Sequence, residues 1–325
     1  MRIHPGGNRM KWIVSIKHIR MTRELGLFCA IVLLTVLFSF LFPVSFPTFG
    51  NFSAILRNLA LDAVMAAGML ILMVSGLFDL SVGGMFSMVG VITGWLMKNG
   101  GVPVPLAILA GLALAALGGF INGFVVARVR VNALITTLGT MQIFRGIAVL
   151  VGGPGITFLP ESFSGLGQAK WLGLQSSVWL MFAVIALFHF LLRKTRFFRQ
   201  YYYIGGNEKA ATLSGIPVPR MQIFAFMISG ILAGLAGMAF SARIATSVSV
   251  AGDGAELRII TAVILGGASL KGGKGSILGA LVGVVFIALI NNLMIIAKIS
   301  SYWQSIVIGL VLVLAVSMDY FLEKK

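Results

Sequence analysis

Of the chain's 325 residues, 58% are hydrophobic and only 10% are charged, with a mean hydropathy of +1.01. Soluble domains carry about 25% charge, so this composition excludes a soluble globular protein and indicates an all-α polytopic membrane protein. The net charge of +16 does not indicate nucleic acid, because the basic residues sit in loops between apolar runs and form no basic-aromatic reading surface.

The chain opens with Arg2, Arg9, Lys11, Lys17, Arg20 and Arg23 ahead of the apolar run Leu25–Phe42. That run exceeds the roughly 7–15 residues of a signal-peptide core, and no small-x-small cleavage site follows. A retained first helix after a cytoplasmic tail over residues 1–24 is expected, with the start left open between Met1, Met10 and Met21. Further apolar runs follow at Leu56–Ser75, Leu80–Met97, Val104–Ala127, Asn132–Val151, Leu174–Leu192, Ile223–Ala242, Leu257–Leu270, Ile277–Ala297 and Trp303–Tyr320. With about 20 apolar residues needed per crossing, this predicts about ten transmembrane helices in a single domain over residues 25–322, some of them short or glycine-interrupted. Cys29 lies in the first run and has no partner for an internal disulfide. His4, His18 and His189 lack metal-ligand spacing, so no metal is expected.

Charge orients these spans. With the N-terminus inside, every Lys and Arg falls in an inner segment except Arg57, Lys98, Arg145, Lys170, Arg243, Arg258 and Lys298. This positive-inside bias places both termini in the cytoplasm. It also places there a polar island at 193–222, which carries Arg193, Lys194, Arg196, Arg199, Lys209 and Arg220 against one acid, Glu208. At its centre the sequence predicts a very short capped helix, with Asn207 as N-cap, Glu208 in the first turn, Gly215 after the last turn and Pro217 as a stop. A helix this short is not stable alone, since isolated helices need about 12–15 residues to be marginal. A partner protein is therefore expected to hold it, although a solvated basic loop is the alternative.

Two spans carry glycine interruptions. Ser75–Gly84 precedes one and Gly266–Ser276 follows the other, and Gly76, Leu80 and Gly83 match Gly266, Leu270 and Gly273 in a weak internal repeat. Paired glycine-broken segments point to a transport pathway; equally, the glycines serve close helix packing. Asp79, Asp253 and Glu256 form no evident acid-base pair, and no catalytic set stands out, so no enzyme is expected. Gly272–Ser276 fails the phosphate-loop pattern, because Gly275 follows Lys274 and Ala268 stands where the first glycine belongs. Energy must then come from a partner or an ion gradient. Asp62, Arg145 and His189 are too scattered for a proton relay, and Asp62 and Arg145 read better as a satisfied pair or as helix-end residues. The amides Asn58, Asn122, Gln142, Asn291, Asn292 and Gln304 suit a hydroxyl-rich solute, but each reads better as helix-to-helix glue.

Asp79–Gly83, Thr137–Thr140, Tyr203–Ile216, Glu256-Leu257, Gly266–Leu270 and Gly272–Gly275 occur in an order that resembles the membrane permeases of bacterial ATP-binding-cassette (ABC) importers. The similar branch takes ribose, xylose and related sugars and includes permeases for autoinducer-2. The resemblance covers roughly residues 50–320. It implies an inner-membrane subunit that works with a cytoplasmic ATPase, an external solute-binding protein and a second permease chain, alike or different. ATP and Mg would be bound by the ATPase, with no cofactor in this chain. It implies that Asn207–Leu213 is the helix docking into the ATPase, with Ala210, Ala211 and Leu213 as its contacts and Glu208 and Lys209 at the groove rim. Gly205, Gly206 and Gly215 frame this coupling loop. The implied pathway or gating residues are Asp79, Ser81, Gly83, Asn122, Thr137, Gly139, Glu256, Gly266 and Gly267. Phe78 and Arg258 depart from the family's pattern beside that pathway, so no particular sugar carries over. The rival readings are an ABC permease for branched-chain amino acids or nucleosides, and an ion-coupled secondary transporter.

Overall fold

The computed structural model describes residues 23–323. The tail expected over residues 1–24 lies outside the described residues, except for its last two, which open α1 (Arg23–Leu41). α2 (Phe49–Val74) begins well before Leu56, because Thr48 caps it: the Thr48 hydroxyl accepts from the Asn51 N–H at 3.2 Å. α3 (Val82–Lys98), α4 (Val104–Ala127) and α5 (Ala133–Gly152) follow. The Asn132 side chain caps α5 by accepting from the Leu134 N–H at 2.8 Å.

Next come β1 (Gly155–Thr157), α6 (Glu161–Gln168) and a small hairpin of β2 (Lys170–Trp171) and β3 (Leu174–Gln175). α7 (Ser176–Lys194) leads into α8 (Arg196–Gly206) and α9 (Glu208–Leu213). The chain finishes with α10 (Val218–Ile244), β4 (Thr246–Val248), α11 (Ala255–Leu265), α12 (Ile277–Ile296) and α13 (Ser301–Glu323). β4 pairs antiparallel with β1, Gly155 opposite Val248. Sequence patterning missed α6, α8 and the four short strands.

The molecule is a helical membrane bundle. Among the described residues, α2, α4, α5, α7, α10 and α12 are long and apolar enough to cross a bilayer. The described apolar parts of α1, α3 and α13 are shorter. α11 has eleven residues; it rises only about 16 Å, half of the roughly 30 Å hydrocarbon core.

α2 is the central mast. From Leu59 to Val74 every residue but Asp62 is buried, packed by α7, α10, α11 and α12. α10 lies against α4 at van der Waals closeness: a Cβ on Gly230 would reach within 2.6 Å of the Ala115 carbonyl oxygen. Bilayers offer no hydrophobic drive between helices, so small residues that let backbones approach supply the packing energy. On the outer faces Leu109, Leu187, Phe190 and Leu310 are exposed, as a lipid-facing surface requires.

Two segments break inside this bundle. α3 runs alongside α10, Phe86 beside Gly237 and Gly90 beside Ser241, so its first turn stands near the middle of α10. Ser75–Ser81 climb to that level without forming a helix. On the other side, residues 245–254 return along α3 as β4 and turns. There the Ser247 hydroxyl donates to the Gly90 carbonyl at 2.8 Å and the Gly252 N–H donates to Ser87 Oγ at 3.1 Å. Only then does α11 begin, halfway along the bundle.

Candidate translocation and coupling site

The two broken segments meet at their helix starts. A Cβ on Gly83 would overlap the Gly252 carbonyl oxygen and Glu256 Oε2, and a Cβ on Gly252 would overlap the Gly83 carbonyl oxygen. Only glycine at both positions allows this crossing. Each helix start carries acids, as the positive end of a helix favours. At α3, Asp79 Oδ1 accepts from the Ser81 N–H (2.8 Å) and hydroxyl (2.6 Å), while Ser229 donates to Oδ2 at 3.4 Å. Asn122 on α4 donates to Ser81 Oγ at 2.8 Å. At α11, Arg145 on α5 donates to Asp253 at 2.9 Å and Glu256 at 3.0 Å.

Two buried acceptors in this region lack a donor among the described residues: Asn122 Oδ1 and Glu256 Oε2. Such groups cost about 1–3 kcal/mol each when left unpaired, so they mark a place where hydrogen-bond capacity is held in reserve. Nearby, Arg258 on α11 grips Asp62, at the midpoint of α2, through two bonds of 2.8 and 3.0 Å. Arg243, at the end of α10, donates to the Arg57 carbonyl at 2.9 Å.

At one end of the bundle a second glycine contact ties these segments to α8 and α9. The Gly273 N–H donates to the Val74 carbonyl at 2.8 Å, joining the loop after α11 to the end of α2. Gly205, at the end of α8, lies on this bond: a Cβ there would overlap the Val74 oxygen and come within 2.5 Å of the Gly273 nitrogen. Gly272 in turn stands against Gly205 and Gly76, with φ +90°. Tyr202 donates to the Gly275 carbonyl at 2.9 Å and Tyr201 to the Met221 carbonyl at 3.1 Å, fixing α8 to the loop and to α10. Burial holds the Tyr201 hydroxyl well above the usual phenol range, so it remains a donor throughout the physiological range.

α9 follows at once. Asn207 Oδ1 accepts from the Ala210 N–H at 3.0 Å, and Gly215 closes the helix with φ +83°. Ala211 is buried in its own chain, whereas Leu213 is 90% exposed. A cavity of about 1130 Å³ opens between α9, the Gly76–Phe78 turn and the turn from α4 to α5.

The profile of the family described as "Branched-chain amino acid transport system / permease component" matches residues 51–316. The chain belongs to this permease family. It is 39% identical over 285 residues to the L-arabinose transport system permease protein AraH of Escherichia coli (strain K12), covering 87% of each chain. It is 36% identical to the ribose import permease protein RbsC of Haemophilus influenzae, covering 92% of this chain and 93% of that one. To the autoinducer 2 import system permease protein LsrC of Shigella flexneri it is 34% identical, over 94% and 89% of the two chains. No solved structure matches it. These relatives identify it as a multi-pass permease of the inner membrane, a transport component and not an enzyme.

In this permease the residues singled out by sequence fall into groups. Asp79, Ser81 and Asn122 form one buried network, and Gly83 and Glu256 sit together at the crossing. Thr137 and Gly139 do not join them. Thr137 bonds back to the Ala133 carbonyl at 2.8 Å, and Gly139 lies on the open face of α5 with nothing near it. Gly266 packs against Gly279 of α12, and Gly267 turns the chain at φ +96°. Gly206, Glu208, Lys209 and Ala210 are exposed around α9.

Within its own chain the short helix is braced by its Asn207 cap and by the burial of Ala211. Asp62 and Arg145 are both paired, but not with each other. Arg258, out of place in the family's pattern, is the partner of Asp62. Only an intramembrane acid and a base of opposite charge signalled this pairing, across 196 residues of sequence.

Proposed function

We propose that this permease imports a sugar or sugar-like small solute as the membrane subunit of an ABC importer, driven through α9 by a separate ATPase. The observation that carries the reading is the glycine contact at Gly205. The root of α9 rests on the loop that enters α3 and on the loop that leaves α11, so a push on α9 reaches both helices at once. The similarity to arabinose, ribose and autoinducer-2 permeases over most of the chain supports a hydroxyl-rich solute over an amino acid. So do the unmatched acceptors on Asn122 and Glu256, which suit the hydroxyl donors of a polyol.

The working assembly has two permease chains, a cytoplasmic ATPase pair that binds ATP and Mg, and an external solute-binding protein. This chain supplies no ATPase site. In this arrangement α9 and both termini face the cytoplasm. The membrane is crossed about ten times, with β4, its following turns and α11 together serving as one crossing. ATP binding draws the two copies of α9 together through Leu213 and the exposed Glu208–Ala210 surface. Movement at Gly205 then shifts the Gly76–Ser81 stretch against the Gly252–Glu256 turn and opens the crossing, where the acceptors meet the solute.

The test is uptake into proteoliposomes holding the permease, its ATPase and the binding protein. Uptake of a labelled pentose should require internal ATP and survive collapse of ion gradients by ionophores. Uptake driven by an ion gradient without ATP would overturn the reading.

A further inference from the structure

At the α9 end of the bundle, the end of α7, one face of α8 and the start of α12 enclose a pocket of about 500 Å³. Its polar wall is basic. His189 and Arg193 stand four residues apart on one face of α7, and Arg199 and Tyr202 three apart on one face of α8. No acidic residue lines it, and among the described residues neither Arg193 nor Arg199 has an acidic partner. The floor is the first turn of α12. Ser276 caps that helix by accepting from the Gly279 N–H at 2.9 Å, and Ser276, Ile277 and Leu278 at the start of this 20-residue helix line the pocket, close to the helix's positive end.

The other wall is apolar. Leu278 is 48% exposed at the lip, and Phe190 one turn before Lys194 is exposed on the flank of α7. The pocket therefore sits where α7 leaves the hydrocarbon and its basic residues begin, which is the depth of a lipid headgroup.

We propose that this pocket binds the phosphate of an anionic glycerophospholipid in the leaflet at the α9 end, with its acyl chain along Leu278 and α7. A phosphate diester offers acceptors to two guanidinium groups at once, which suits arginine better than lysine. Basic pockets between membrane helices hold anionic headgroups on the same grounds. A free phosphate would satisfy the same donors but would gain nothing from the apolar lip. The consequence is mechanical. α8 forms two walls of connection, one to this lipid and one through Gly205 to the broken segments, so a bound lipid braces α8 against the membrane while α9 moves.

The experiment uses the full chain in nanodiscs of phosphatidylcholine doped with phosphatidylglycerol, compared with Arg193→Gln/Arg199→Gln and with Arg128→Gln/Arg220→Gln. The last pair removes the same charge from exposed positions outside the pocket. Native mass spectrometry counts retained phosphatidylglycerol, and thermal unfolding reports its stabilisation. At about 1 kcal/mol per basic residue, the pocket variant should hold phosphatidylglycerol roughly thirtyfold more weakly, and the control should match wild type. Equal retention by the pocket variant overturns the site. Stabilisation by inorganic phosphate in pure phosphatidylcholine, matching that by the lipid, overturns the lipid as its occupant.

Discussion

The proposed transmission rests most on Gly205, whose position is possible only because it lacks a side chain. A Cβ there overlaps the Val74 carbonyl and crowds Gly273, so Gly205→Val must push α8 away from both loops. We expect the variant to reach the membrane and to bind its ATPase, yet to lose most uptake while ATP hydrolysis runs uncoupled. Unchanged uptake per ATP would disprove the transmission route. Arg258 is the second such residue. Its bidentate grip on Asp62 is half-buried in the core of the bundle, so Arg258→Gln strands a carboxylate at a cost of about 1–3 kcal/mol. Asp62→Asn in the same chain should restore most of the lost melting temperature, because the partner charge goes too. A double variant no more stable than the single one would show that the pair is not the source of the loss. At the crossing, Asn122→Ala removes one of the reserve acceptors and should weaken uptake roughly tenfold, about 1.4 kcal/mol, with little change in basal ATP hydrolysis. Uptake kinetics at saturating binding protein would reveal an unaffected variant.

At the scale of elements, the proposed mechanism makes α8 and α9 one lever with two kinds of surface. α8 buries Phe198, Tyr201 and Ile204, the spacing of a helix lying flat on the bundle, and Thr195 caps it by accepting from the Phe198 N–H at 3.3 Å. α9 turns only Ala211 inward and leaves Leu213 outward. Leu213→Asp should therefore abolish co-purification with the ATPase without lowering the melting temperature of the permease alone; intact co-purification would place the contact elsewhere. Asn207→Ala should cost about 1 kcal/mol of local helix stability, read as faster amide exchange over Ala210–Leu213. The cap, the closing Gly215 and the length of α9 were all legible in the sequence, because capping chemistry is local. α8 was not read, although its aromatic residues recur at three- and four-residue spacing, because its basic residues made the whole stretch look like loop.

For the whole molecule, α3 and α11 begin at mid-bundle, after Ser75–Ser81 and after β4 with its turns; hydropathy counted both as spans because it registers apolar run length and not where a helix begins. Charge balance, apolar run length, the order of short motifs and local capping chemistry determined, by sequence alone, a polytopic helical membrane protein, its permease family and the bounds of α9. Those signals are local or statistical, and the bilayer enforces them on every segment independently. Only the tertiary structure decided that Gly83 faces Gly252, that Arg145 holds Glu256 and Asp253, that Arg258 holds Asp62, and that Gly205 rests on Gly272 and Gly273. Each of these joins residues far apart in the chain, and which glycine meets which backbone depends on how the helices pack, a quantity no run of neighbouring residues contains.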